Sequence, residues 1–314
     1  MKEIIGALAL TLHKTRTDGL ICDIPTESIE PFLPEETSDY LIDGKTIRFA
    51  SLDARNRCVA SYAFEINKTA FAGDTHKWLE TAHDLLCCEI GKADSAAGRL
   101  LALVHETNDI FSIAANAIET KSVRVFNVLY VIKAALPYLN KLAVEEIFKL
   151  CAAQHDETKN DLCGGMLFSE LEKFFIRHPD TARATHLLFK GHIAERTTSL
   201  YTTALMAIAK SSSGDAISLA LEDAKSKDEI LRSSALWTLG QLLASSSATR
   251  NSIPLVSSTI IGNMSDSVER VRLSAISAAA QTLSVTDEFD ASLVSLGEAG
   301  DQYALGAIAI DPAK

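Results

Sequence analysis

Two stretches forty residues apart spell nearly the same helix: ILRSSALWTLGQLL over 230–243 and RVRLSAISAAAQTL over 270–283. Arg232 aligns with Arg272, Ala235 with Ala275, Leu236 with Ile276 and Gln241 with Gln281. The same frame, with apolar residues three, four and seven positions on, extends backwards. Thr197 is followed by Leu200, Tyr201 and Ala204; Cys163 by Met166 and Leu167, then Glu170 beside Leu171; Arg124 by Asn127, Val128 and Val131. From 124 to 163, 197, 232 and 272 the steps are 39, 34, 35 and 40 residues. A step of that size holds one helix pair, and such pairs stack because neither helix buries its apolar face alone.

The segments between support this reading. From Lys77 onward the apolar residues keep helical spacing, beginning with Trp78, Leu79, Ala82, Leu85 and Leu86. The breaks GKADS, HETND, SSSGD, SSSATR, NMSDS and SVTDE each place Ser, Asp or Asn where a following helix needs an N-cap. Aromatics make up only 6% of residues, which favours helices packed closely through small side chains. Before residue 70 the pattern differs. Leu8, Leu10 and Leu12, then Leu20, Cys22 and Ile24, alternate about TRTDG as a hairpin would; Ile47 and Phe49, then Ala60, Tyr62, Phe64 and Ile66, do so about DARNR. A helix over Glu3–Leu12 is the alternative, since Ile4, Leu8 and Leu12 also share a helical face. In IPTESIEPFLPEET three prolines forbid a long regular element.

The unit IPLVSSTIIGNMSDSVERVRLSAISAAAQTL, 253–283, resembles a HEAT repeat. Pro254 falls early in the first helix, Asp266 in the turn, and Val271, Arg272 and Ala275 open the second helix, as in that family. The resemblance is close over 197–283, looser back to about residue 75 and absent before it. It implies a mainly α chain: a HEAT/armadillo-like α-solenoid over 71–314, of about six helix pairs, after a small β-hairpin-containing region over 1–70. The last segment, DQYALGAIAIDPAK, reads as a second helix cut short, so the chain is expected to cap itself unusually or to continue. The resemblance further implies a structural ladder, in which Arg232 and Arg272 pair with turn aspartates such as Asp266 between neighbouring repeats. Arg232 points within about a third of a right angle of the apolar stripe, which fits the packed side.

The formal net charge of −11 disfavours broad binding to phosphate backbones, which draws on clustered Lys and Arg, and fits a basic protein partner better. Six cysteines without a C-x-x-C pair point to reduced thiols and a cytoplasmic setting. The apolar run 4–12 is too short to span a bilayer.

Signals for catalysis are weak. The pairs His83–Asp84, His105–Glu106 and His155–Asp156 are unevenly spaced and do not repeat the His-Glu pairs of HEAT-like hydroxylases. TAHDLLCCEIGK resembles the HD phosphohydrolases only in its His-Asp pair. Cys163 in NDLCGGML sits where a helix N-terminus could activate a thiol, but no His–Asn partner is signalled nearby. No phosphate-binding glycine loop or H-E-x-x-H occurs. No catalytic residue, metal ligand or cofactor is therefore expected.

Trp237 lies about 170° from the centre of the stripe Ala235, Leu236, Leu239, Leu242 and Leu243. In HEAT-like folds that side of the second helix lines the concave surface. Phe168, Met206, Trp237, Gln241 and Gln281 are the expected partner-binding residues of a non-enzymatic scaffold or adaptor, the glutamines supplying hydrogen bonds to a protein or peptide. The other reading of Trp237 is that it covers a neighbouring helix. The alternative function is that of a HEAT-like nucleic-acid binding or DNA base-repair protein, which would need a basic concave face.

Overall fold

The computed structural model describes residues 2–15, 20–23, 39–43, 46–89, 94–194, 197–245 and 251–309. Among them are sixteen α-helices and three strands, so the protein is mainly helical. The chain forms two compact units, Met1–Glu170 and Leu171–Lys314.

The first unit begins with helix α1 (Lys2–Lys14), strands β1 (Ile21–Asp23), β2 (Tyr40–Asp43) and β3 (Thr46–Phe49), and helix α2 (Leu52–Asn67). The strands make an antiparallel sheet in the order β1-β3-β2, with Tyr40 opposite Phe49, Ile42 opposite Ile47 and Cys22 opposite Ile47 on the other side. Tyr40, Ile42, Ile47 and Phe49 are buried while Leu41 and Arg48 are exposed, the period-two pattern of a sheet covered on one face.

Two of the expected strands are helices instead. Residues 8–12 belong to α1, the alternative reading, because Ile5, Ala9 and His13 at i, i+4 and i+8 form its buried face. Ala60–Ile66 lies in α2, which buries Ala54, Val59, Ala60 and Ala63. In α2 the alternating large residues concealed a helical stripe built largely on alanine. The turn residues 16–19 and the proline-rich 24–37 fall outside the described residues.

Helices α3 (Lys77–Leu86), α4 (Ala96–His105), α5 (Ile110–Glu119), α6 (Val125–Ala135) and α7 (Val144–Thr158) complete this unit, with a 3-10 turn over Leu136–Tyr138. Ser95 and Asp109 cap α4 and α5, accepting from Gly98 N and from the amides of Phe111 and Ser112. Helix α4 packs on α2, α3 and α6, and α5 on α7. A Cβ on Gly98 would stand 2.0 Å from the carbonyl oxygen of Ala134, so only glycine lets α4 and α6 come this close. Helix α8 (Leu162–Arg177) carries the boundary between the units.

The second unit adds α9 (Pro179–Gly191), α10 (Thr198–Ser211), α11 (Ser213–Asp223), α12 (Glu229–Ala244), α13 (Ile253–Asn263), α14 (Glu269–Ala280), α15 (Asp287–Glu298) and α16 (Gln302–Ala309). Ser212, Asp228 and Thr286 cap α11, α12 and α15 through their side chains. Sequence neighbours pack as pairs, α9 on α10, α11 on α12, α13 on α14 and α15 on α16. Alternate helices also touch: α10, α12, α14 and α16 in one succession, α11, α13 and α15 in the other. The frame residues Arg124, Cys163, Thr197, Arg232 and Arg272 all fall at the start of an even-numbered helix. No helix among the described residues is long and apolar enough to cross a membrane.

Candidate functional site

In the second unit α10, α12 and α14 lie side by side, and their close approach has identifiable causes. The hydroxyls of Thr202 and Thr238 hydrogen-bond at 2.9 Å between α10 and α12. Between α12 and α14 there is no room for a side chain at Gly240, whose Cβ would sit 2.7 Å from that of Ala278. The apolar stripe of α12 is buried as expected, from Leu231 through Leu243.

Trp237, on the far side of that stripe, is 39% exposed. The frame positions beside it are Thr202 and Met206 on α10, Ser233 and Gln241 on α12, and Ser277 and Gln281 at α14. None of these is charged. Their exposure differs: Met206, Thr202 and Ser233 are buried, whereas Gln241 is half-buried and Gln281 exposed. The two glutamines are not both free for a ligand, since Gln241 Nε2 donates to Gln281 Oε1. Each amide keeps one polar atom beyond this bond. Phe168 lies on α8 within the first unit and is half-buried.

The ladder residues lie at the base of the same helices. Arg232 Nε stands 3.3 Å from Asp266 Oδ2, and its Nη1 donates to the carbonyl of Ser226. One helix pair later the geometry recurs, with Arg272 Nε 3.7 Å from Asp301 Oδ2 and Nη1 donating to the carbonyl of Asp266. Before them stands a station that sequence reading missed. Asp223, its side chain 1% exposed, accepts from His186 Nε2 at 2.7 Å and Tyr201 OH at 3.0 Å and pairs with Lys190 Nζ at 2.8 Å. Burial alone would raise the Asp223 pKa, but the bonds from His186, Lys190 and Tyr201 outweigh it and hold the carboxyl below the usual range. An arginine at this frame position would have signalled it; threonine stands there instead.

The first unit contains a cavity of about 1020 Å³, lined by α1, α2, α4 and the segment 137–141. Its two arginines are already engaged: Arg57 with Asp39 and Asp53, Arg99 with Asp53 and Asp94. Tyr138 OH donates to Asp94 at 2.7 Å, and the Arg99 guanidinium lies 4.6 Å from the Tyr138 ring centroid. Burial, followed by that bond to Asp94, pushes Tyr138 up to about 12. Cys58 in the cavity wall is raised by burial to about 11, so it is a thiol at neutral pH. Such a network holds the walls together and supplies no activated nucleophile.

The sequence-level candidates for chemistry separate. Cys163 is 2% exposed, and its backbone N–H donates to Gln154 Oε1; it is a core residue of this fold. His83 faces the Cys87 sulfur at 3.8 Å on an exposed helix end. His105 does not work with its neighbour Glu106. Its ring meets Asp109, four residues on, and Glu146 from α7, with ligand-type atoms of all three within 4.8 Å of one another. The first two are readable as H-x-x-x-D in HETND; Glu146 is brought in only by the packing of α7 on α5. Set beside known proteins, the chain matches no protein-family model and no curated protein significantly.

Proposed function

We propose that the second unit is a HEAT-like α-solenoid and that the protein is a non-enzymatic scaffold holding a protein or peptide on the face of α10, α12 and α14. The pairing of successive helices and the contacts between alternate ones support the architecture, and the recurring Arg–Asp contacts support the likeness to HEAT repeats. The observation that carries the function is Trp237, an exposed indole on an uncharged face whose backbone is fixed by tight helix packing. A rigid tryptophan beside small polar residues loses little entropy on binding and buries much area, as interface anchors do. The uncharged positions around Trp237 also argue against the nucleic-acid reading, which would need clustered Lys and Arg there. A basic partner is favoured by the net charge of −11, through long-range attraction.

The test is random-peptide display against the full chain, with the Trp237→Ala chain as comparison. Peptides selected on the wild type should bind the variant roughly 30-fold more weakly, the equivalent of a ~2 kcal/mol anchor. The variant should melt close to the wild type. Equal binding by both chains, or loss of the fold in Trp237→Ala, refutes the reading.

A further inference from the structure

The geometry points to a divalent transition-metal site in the first unit, formed by His105 Nδ1 and the carboxylates of Asp109 and Glu146. Three different elements supply the ligands: the last residue of α4, the N-cap of α5 and the first turn of α7. The ligand-type atoms lie within 4.8 Å of one another, so a small inward adjustment brings them around one ion.

The imidazole is held in the form that binds metal. His105 Nε2 lies 3.2 Å from the carbonyl oxygen of Lys141; because a carbonyl only accepts, Nε2 carries the proton and Nδ1 keeps its lone pair. Metal-binding histidines are oriented in this way by a bond from the second ring nitrogen. The ring is further set by edge contact with Phe111, 6.0 Å between centroids. Asp109 is fixed as well: one oxygen accepts the amides of Phe111 and Ser112, at 2.9 and 3.0 Å, leaving the other for a ligand.

What the protein leaves unmet is informative. His105 Nδ1 and Glu146 Oε2 are both shielded from solvent, and neither has a hydrogen-bond partner. Buried polar atoms without partners are rare and costly. Glu146 also faces Asp109, carboxyl to carboxyl, beside the imidazole of His105. A divalent cation would neutralise both carboxylates and satisfy both orphan atoms at once. One nitrogen and two oxygen donors suit zinc, cobalt, manganese or iron better than calcium, which takes oxygen only. Three protein ligands leave a position for water. His105 and Lys141 also line the 1020 Å³ cavity.

The experiment uses the full chain stripped with a chelator, titrated with Zn²⁺ by calorimetry and with Co²⁺ by visible absorption. One equivalent of metal should bind, with a cobalt spectrum of reduced coordination number. His105→Ala and Glu146→Gln should each weaken binding at least tenfold, roughly the effect of disturbing a metal's shell. His83→Ala removes the exposed His83–Cys87 pair and should change nothing. Absence of stoichiometric binding would mean that a proton alone bridges Asp109 and Glu146, and would overturn the proposal. So would binding that survives both His105→Ala and Glu146→Gln, or that disappears only in His83→Ala. Circular dichroism of Glu146→Gln, the shape-conserving change, separates loss of ligand from loss of fold.

Discussion

Replacing Asp223 by alanine tests whether polar contacts, and not apolar burial alone, fix the helix pairs of the second unit. In the wild type the carboxylate takes bonds from α9 through His186 and Lys190 and from α10 through Tyr201. Lys190 loses little on its removal, because its Nζ is partly exposed and already 3.2 Å from Glu222. His186 and Tyr201 cannot recover in this way. Both are buried, and each would leave a polar atom without partner at a cost of about 1–3 kcal/mol. Together with the cavity left by the side chain the loss should be about 3–5 kcal/mol, the range seen when one member of a buried ionic network is removed. That corresponds to a fall of roughly 10–15 °C in melting temperature for a unit of this size. Asp223→Asn keeps the shape and an accepting oxygen, so it should lose about 1–2 kcal/mol. The chain has two tryptophans, Trp78 in the first unit and Trp237 in the second. In a Trp78→Phe background, urea unfolding followed by Trp237 emission therefore reports the second unit alone. The expected order of stability is wild type, then Asn, then Ala. An alanine variant within about 1 kcal/mol of wild type would refute the reasoning, because the buried partners would then have found water.

Acid should remove the same contribution. A carboxyl whose folded pKa is depressed stabilises fully above its unfolded value, 3.8 for Asp223, and that stabilisation is lost as pH falls below it. The stability gap between wild type and Asp223→Asn should thus close below about pH 4, which denaturation midpoints across pH will show. Gly240→Val should cost about 2–3 kcal/mol in thermal melts, since even the Cβ would meet Ala278 at 2.7–2.8 Å and an overpacked interface moves backbone. For the ladder, a double-mutant cycle on Arg232→Ala and Asp266→Ala should give a coupling of only about 0.5–1.5 kcal/mol. The pair is 3.3 Å apart and partly solvated, so Coulomb attraction is offset by side-chain ordering. A coupling above about 3 kcal/mol would mean the ladder dominates the stack.

The helical part of this fold was legible because it rests on local signals. Spacing of apolar residues, capping residues in short breaks and a recurring frame all act within one helix or between sequence neighbours. They located Lys77 as the start of α3, the caps at Ser95, Asp109 and Ser212, and the buried stripe of α12, but not the caps of α14 and α15, which are Val268, without a side-chain bond, and Thr286. The same local reading failed over 8–12, where Ile5, Ala9 and His13 carry the burial, and over 60–66, where alanines at helical spacing do; the larger residues alternated by coincidence. An alanine stripe is quiet in sequence, because a methyl group counts for little until a partner helix comes close.

Sequence alone therefore determined that the chain is mainly helical and which face of α12 is apolar, while leaving open whether Trp237 faces solvent or a neighbouring helix. It could not determine which distant side chains meet. Asp223 with His186 and Tyr201, Arg272 with Asp301, Gln241 with Gln281, and Glu146 with His105 are joined across 37, 22, about 30, 40 and about 40 residues by the way helices cross. The physical reason is one of range. Helix formation is decided within a few residues, whereas a polar cluster needs several helices at fixed distances, and close approaches at Gly98 and Gly240 set those distances only in the folded state.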